Sequence, residues 1–275
     1  MRIVRAVFLC AYSDINHFYR KNFLIKFLHK IFRGGGFDMR TEFVETKVTR
    51  YDAAKNIFVP DTKFTSVENC FELRLNGQPF RKIFCSPNCL DDLAIGILAQ
   101  TEKISSIDDV IRLDIDAKNF LIDVETAPAE KVSVDELHDD LRFTAKNILA
   151  CADKLLGELS ETHAKTNGVH SGLLFDGEKI LFVREDIGRH NVFDKIHGAA
   201  LRQRINLRDK VLIFSGRCSS EMMLKLWRMK IPVVAAKSVP TTYSIDLANK
   251  LGITLAARMA AGSFCIYTNP KRIVL

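Results

Sequence analysis

The chain has 275 residues, enough to bury a large core in one or two domains. Its net charge of +7 is not spread evenly: residues 1–36 hold seven Lys/Arg against one Asp, and the other 239 residues hold 33 basic against 32 acidic side chains. The body therefore carries no general signal for nucleic acid, and the basic segment is too interrupted by charge to span a membrane.

In residues 1–36, Ile15, Phe18, Tyr19, Leu24, Phe27, Leu28, Ile31 and Phe32 recur at roughly helical spacing among the basic residues, a pattern that suits a membrane-surface helix. The segment ends in Gly34-Gly35-Gly36 before Met39, and residues 1–38 are expected to stand outside the fold. Residues 41–50 and 66–75 read as strands, and Asn76-Gly77 as a hairpin turn into 80–84. A helix is expected over 91–100 and a hairpin over 109–125 around Ala117-Lys118-Asn119. After Pro128 a long helix is expected from about Val134 to Leu159, with Ser133 as its cap. Strands near 171–175 and 179–184 join at Asp176-Gly177, and strands near 211–214, 232–236, 253–256 and 264–268 then alternate with helices. That alternation predicts an α/β fold, a mixed sheet covered by helices on both faces, with a smaller N-terminal α+β domain. The expected divisions are 1–38, 39–128 and 129–275.

The seven cysteines are odd in number and lack the dense spacing of a disulfide scaffold, which suits a cytoplasmic protein. Cys85 and Cys89 are the closest pair, but no histidine or second pair completes a ligand set, so no metal site is expected.

Chemistry-bearing residues gather in the second half. Glu185-Asp186-Ile187-Gly188-Arg189-His190 packs two carboxylates, a glycine, an arginine and a histidine behind a strand. Such a cluster reads as a site at a strand end or as an ion-paired loop capping the next helix. Thr166-Asn167-Gly168-Val169-His170 precedes the apolar run 173–175, and Ser215-Gly216-Arg217-Cys218-Ser219-Ser220-Glu221 follows 211–214. In the latter, Ser219 or Ser220 can cap a helix whose start, with Arg217 beside it, would suit a phosphate.

The order of these motifs resembles the FdhD/NarQ family of formate dehydrogenase accessory sulfurtransferases. So do Ser238-x-Pro240-Thr241-Thr242, Leu247-Ala248, Gly252-Ile253-Thr254-Leu255, Leu75-Asn76-Gly77 and Ser86-Pro87-x4-Asp92-Leu93-Ala94-x-Gly96-x-Leu98. The resemblance covers roughly residues 45–275. It implies a cytidine deaminase-like larger domain. It also implies a cysteine persulfide that carries sulfur from a cysteine desulfurase to the bis(molybdopterin guanine dinucleotide) molybdenum cofactor, before that cofactor enters formate dehydrogenase. GDP is the expected analogue, and a two-nucleotide cofactor suits a twofold homodimer. Cofactor contacts are implied for Thr166, Gly168, His170, Asp186, Gly188, Arg189, His190, Ser215, Gly216, Arg217, Ser238 and Thr241, and for the segment Arg258, Met259, Ala260, Ala261, Gly262 and Ser263. Within the main motif Asp186 and Arg189 are expected to pair or cap locally, with His190 facing the pocket.

Two departures stand out. Asn167 occupies a position where the family commonly has Gly. More important, the chain has no Cys-x-x-Cys, which the family usually carries between its N-terminal domain and the Thr-Gly-Gly-x-His motif. The interval 123–165 holds only Cys151, on an apolar helical pattern that reads as core. Sulfur transfer, or binding of cofactor or guanine nucleotide without transfer, are both compatible with this sequence. Among the remaining thiols, Cys218 has the best electrostatics, beside Arg217 at a helix start that should lower its pKa, with a buried structural role as the favoured reading. Cys70 and Cys265 lie in strand patterns; Cys85 and Cys89 flank Pro87 and could be exposed. Neither His-x-Glu nor Pro-Cys-x-x-Cys occurs, so zinc-dependent deamination is not expected.

Overall fold

The computed structural model describes residues 41–128, 137, 140–157 and 160–275. The expected extension 1–38 and the expected cap Ser133 lie outside the described residues. Strands β1 (Phe43–Asp52) and β2 (Ile57–Ser66) form an antiparallel two-stranded ribbon. β2 is missing from the sequence expectation because Pro60 stands in mid-strand and most of its residues are exposed, so no buried face leaves an alternating pattern.

A four-stranded sheet follows, in the order β4-β3-β6-β5. It comprises β3 (Asn69–Leu75), β4 (Gln78–Cys85), β5 (Val110–Asp116) and β6 (Leu121–Thr126). Asn76 (φ 50°) and Gly77 (φ 74°) both adopt the left-handed conformation that a tight hairpin turn requires. Helix α1 (Leu90–Gln100) packs Leu93, Ile97 and Leu98 against Phe71, Leu73, Ile122 and Val124.

The expected long helix is shorter on its described residues. Residues 140–142 are irregular, and Phe143–Thr144 form β7, paired in parallel with the C-terminal strand β14 (Ile273–Val274). Burial of Phe143 in that contact outweighs local helical propensity. Helix α2 (Ala145–Gly157) then begins, and a separate short helix α3 (Glu161–Thr166) is capped by Ser160, which accepts from the His163 amide. Asn167 ends α3 at φ 49°, a left-handed position where Gly is preferred and Asn is the next best choice.

The main sheet has six strands in the order β13-β12-β11-β10-β8-β9. These are β8 (His170–Phe175), β9 (Ile180–Asp186), β10 (Val211–Phe214), β11 (Val233–Ala236), β12 (Thr254–Ala260) and β13 (Ser263–Ile266). β10, β11 and β12 run parallel, while β8, β9 and β13 add antiparallel pairs. The sheet is therefore mixed, as the sequence pattern predicts. Helices α4 (Arg189–Arg202), α5 (Ser220–Met229) and α6 (Thr242–Lys250) follow β9, β10 and β11. Leu173, Phe175, Val211 and Ile213 pack in one cluster with Ile148 and Leu155 of α2. Gly172, whose side faces the other way, meets Val192 and Ile196 of α4. Helices thus cover both faces.

The two sheets meet where α1 crosses α4. A Cβ on Gly96 would lie 1.8 Å from the carbonyl oxygen of Asp194, and one on Gly198 would lie 1.9 Å from that of Asp92. The helices touch backbone to backbone, and each glycine is bare because the other helix occupies its side-chain space. Gly198→Ala should therefore destabilise the protein by about 3 kcal/mol, read as a lowered urea midpoint. A loss below about 0.5 kcal/mol, the range of an uninvolved surface site, would mean that the helices separate freely.

Candidate functional site

β9, β10 and β11 end at one edge of the main sheet, and β8, running antiparallel, begins there. A cleft of about 590 Å³ opens at that edge, lined by His170, Arg189, Ser215, Gly216, Arg217, Ser238, Val239, Pro240 and Thr241. Each wall is fixed by the local chain. The Ser215 amide donates to the Ser171 carbonyl at 2.9 Å, and the Ser171 amide donates to Ser215 Oγ at 2.9 Å. The Lys237 and Ser238 amides donate to the carbonyls of Phe214 and Gly216, tying the β10 and β11 loops together. Thr241 caps α6, its hydroxyl accepting from the Ser244 amide at 3.2 Å. His170 lies against Phe214, which packs edge-on to Phe193. Burial lowers the His170 pKa, and the nearby Arg189 adds to this, so the ring favours its neutral form.

Behind the cleft, Asp186 and Lys195 form a fully buried ion pair at 2.7 Å. Asp186 also accepts from the amides of Ser86 and Gly188 and from Asn191 Nδ2. Lys195 donates to Asn88 Oδ1 at 2.6 Å and to the Glu185 carbonyl at 3.0 Å. Asp186 thus bonds locally, to the amide of the N-cap residue Gly188, but its ion-pair partner is Lys195 and not Arg189. Arg189, the first residue of α4, is exposed in the cleft.

His190 corrects the expectation most clearly. It turns from the cleft towards α5, with Nε2 3.3 Å from Glu221. It begins a polar seam: His190, Asp194 and His197 on α4 meet Glu221 and Lys225 on α5 and Gln100 on α1. Asp194 pairs with Lys225, and Gln100 Nε2 lies 3.2 Å from His197 Nδ1. Burial, reinforced by Lys225, pushes His190 down to about 4 and His197 down to about 3. The i, i+4, i+7 spacing of 190, 194 and 197 was visible in the sequence and is the signal that could have revealed this seam.

Several other implied contacts are placed away from the cleft. Asp186 is sealed inside its network and has no surface for a ligand. Thr166 and Gly168 hold the ribbon: Ser66 Oγ donates to Thr166 Oγ1 at 2.8 Å, and a Cβ on Gly168 would strike Ser66 Oγ at 2.4 Å. Gly188 caps α4 beneath Asn191. Met259 is buried in the core. Arg258, Ala260, Ala261, Gly262 and Ser263 are exposed around the β12–β13 turn, with Arg258 at φ 58° beside a bulge, and none lines the cleft. Val239 and Pro240, inside the Ser238–Thr242 motif, also line the cleft.

Cys218 takes the buried structural role that its sequence favours: it is 1% exposed, and burial pushes it up to about 12, opposite to the shift that Arg217 alone would cause. Its neighbour points outward while the sulfur faces the core. Cys85 is buried and shifted up, and Cys70, Cys89 and Cys151 are half-buried and also raised by burial. Cys265, on the edge strand β13, is the exposed thiol among the described residues. No group of potential metal ligands and no helix long and apolar enough to cross a membrane occurs among the described residues.

The seam makes stability acid-sensitive. The unfolded chain holds a proton on His197 below about pH 6.5, whereas the folded chain resists it down to about 3. Stability contributed by neutral His197 is thus complete above about 6.5 and is lost as pH falls towards 3. Denaturant midpoints at pH 7 and 5 should differ, by about 2 kcal/mol from this group. His197→Gln should reduce the difference by about that amount, leaving the part due to His190; an unchanged slope would show that His197 is not held neutral.

A sequence profile described as the FdhD/NarQ family matches residues 125–274. A sulfur carrier protein FdhD from Geobacillus kaustophilus is 34% identical over 245 residues, covering 79% of this chain and 93% of its own. Another from Staphylococcus aureus is 32% identical over 260 residues, covering 82% and 95%. A crystal structure from Desulfotalea psychrophila, described as a formate dehydrogenase accessory protein, has the same fold, with a TM-score of 0.76 at 21% identity over 85% of this chain and 100% of that one. With its motifs in order and this extent of similarity, the chain belongs to the FdhD/NarQ family.

Proposed function

We propose that this protein is a cytoplasmic formate dehydrogenase accessory protein. It binds the bis(molybdopterin guanine dinucleotide) cofactor in the cleft and carries sulfur to it from a cysteine desulfurase. The observation that supports binding is the convergence of Arg189, Arg217, His170 and three hydroxyl groups on one open site at the sheet edge. The site fits such a group. A Cβ on Gly216 would meet Phe214 Cε1 at 2.7 Å and His170 Nδ1 at 3.1 Å, so the loop keeps its backbone bare at the cleft. The molybdenum of the bound cargo is the sulfur acceptor; the chain's own residues hold the phosphates, GDP being the simplest analogue. Formate dehydrogenase, the desulfurase and a second copy of the chain are the partners in this reading. A cytidine deaminase-like sheet would here serve as a nucleotide-holding scaffold without deaminase chemistry.

The carrier half draws its support from kinship with proteins named sulfur carriers. A second reading, binding without transfer, is favoured by the thiols: a persulfide carrier needs a reachable, ionised sulfur, and burial denies this to Cys218 and Cys85. Incubation of the full chain with a cysteine desulfurase and cysteine, followed by peptide mass mapping, separates the two. Sulfur transfer requires stoichiometric sulfane sulfur on one accessible cysteine, whereas a pure binder acquires none. No sulfur is expected at Cys218 or Cys85, and stoichiometric persulfide at Cys218 would contradict the burial assigned to it.

A further inference from the structure

We infer that β1 pairs edge to edge with β1 of a second copy of the chain, antiparallel, about a twofold axis at Thr46. This locates the surface that a second copy engages, and it does not depend on what the cleft binds. No residue of β1 or β2 is fully buried. The ribbon is anchored at its base, where Lys165 of α3 lies 4.6 Å from the Phe43 ring and 4.8 Å from that of Phe64, and Ser66 bonds Thr166. At the tip Tyr51, Ile57 and Phe58 are 52%, 45% and 74% exposed, with the two rings in contact. Beyond its base the ribbon stands as two strands, which are marginal in water without a third.

The two edges of the ribbon differ. Pro60 lies opposite Thr49 and has no N–H, so that pair exchanges no amide bonds and the ring nitrogen faces outward from β2. Thr62, two residues on, also turns its amide outward, and that amide donates to Asp61 Oδ1 at 2.7 Å. The outer edge of β2 is thus closed. The same alternation turns the amides and carbonyls of Glu45, Lys47 and Thr49 outward along β1. Among the described residues no other strand pairs with that edge.

The side chains of β1 suit β1 itself. Residues opposite each other in a sheet share a face, so a twofold normal to the sheet must pass through a residue. An axis at Thr46 sets Glu45 opposite Lys47 of the second copy, twice, and Val44 opposite Val48, twice. An axis at Glu45 or at Lys47 would oppose like charges, and one at Val48 would set Glu45 opposite Tyr51. Glu45 and Lys47 are exposed and form no ion pair among the described residues. The Thr46 axis also sets Tyr51 diagonal to Phe43 of the second copy, on the same face and within reach of an aromatic ring. The exposed tip of each ribbon thereby meets the aromatic base of the other, where Phe43 packs edge-on to Phe64.

Analytical ultracentrifugation of the full chain should show a dimer. Glu45→Lys or Lys47→Glu alone should each weaken it about tenfold, and the two together should restore it. The two Thr46 residues would face each other in a non-hydrogen-bonded pair, with Cα atoms about 4.5 Å apart, inside disulfide range. Mild oxidation of the Thr46→Cys protein should therefore give a covalent dimer whose cross-link maps to position 46, whereas Glu45→Cys should give none at position 45. A parent chain that stays monomeric would overturn the inference. So would a dimer whose Thr46→Cys protein fails to cross-link at that position, or a double reversal no tighter than either single one. None of these results bears on the ligand of the cleft or on sulfur transfer, which are tested separately.

Discussion

Asp186 and Lys195 carry full charges into a part of the protein that excludes water, and the surrounding architecture is arranged to make that tolerable. Burying two ions costs several kcal/mol each unless the remaining lone pairs and protons are satisfied. Three segments supply what is needed: the loop before α1 through Ser86 and Asn88, the end of β9 through the Glu185 carbonyl, and the first turns of α4 through Gly188 and Asn191. Asn191 also donates to the Phe84 carbonyl, extending the network to β4. The pair therefore fixes where α4 begins, and Arg189 is the residue at that beginning.

The same region is locked a second way. Gly96 and Gly198 bring α1 and α4 into backbone contact, and Asp92, nearly fully buried on α1, accepts from Arg184 at 2.7 Å and from Arg202 at 2.6 Å. The small sheet thereby contributes to the cleft without lining it. It supplies the shell that holds α4 against the strand ends, an arrangement expected of a rigidly supported site.

Much of this was legible in the chain. Hairpins closed by Asn76-Gly77 and Asp176-Gly177, and the alternation after residue 170, follow from left-handed turn residues and from strands too apolar to sit anywhere but a covered sheet. The cleft arginines, Ser215 and Thr241 were legible because polar residues after a buried strand have few structural uses. The division of labour between neighbours was not. Arg189 and His190 differ by about 100° of helical phase, so starting α4 at Arg189 sends one to the cleft and the other to α5. Asp186 resembles a ligand in sequence, and only the distant Lys195, Asn88 and Ser86 show it to be a structural anchor. Cys218 takes the buried role that its sequence favours over a reactive one, because a neighbouring arginine says nothing about which way the sulfur faces. β2 left no pattern because a ribbon with both faces largely in solvent has no hydrophobic period.

If the motif separates into a buried anchor and an exposed contact, the two functions should come apart on substitution. The most direct measurement is the melting of Arg189→Ala and Lys195→Met proteins with and without GDP. Arg189→Ala should melt like the parent but lose the stabilisation that GDP confers on it. Lys195→Met, which strands Asp186 as a buried charge, should be about 3–5 kcal/mol less stable whether or not GDP is present. An Arg189→Ala protein that keeps its full response to GDP, or a Lys195→Met protein as stable as the parent, would contradict this assignment.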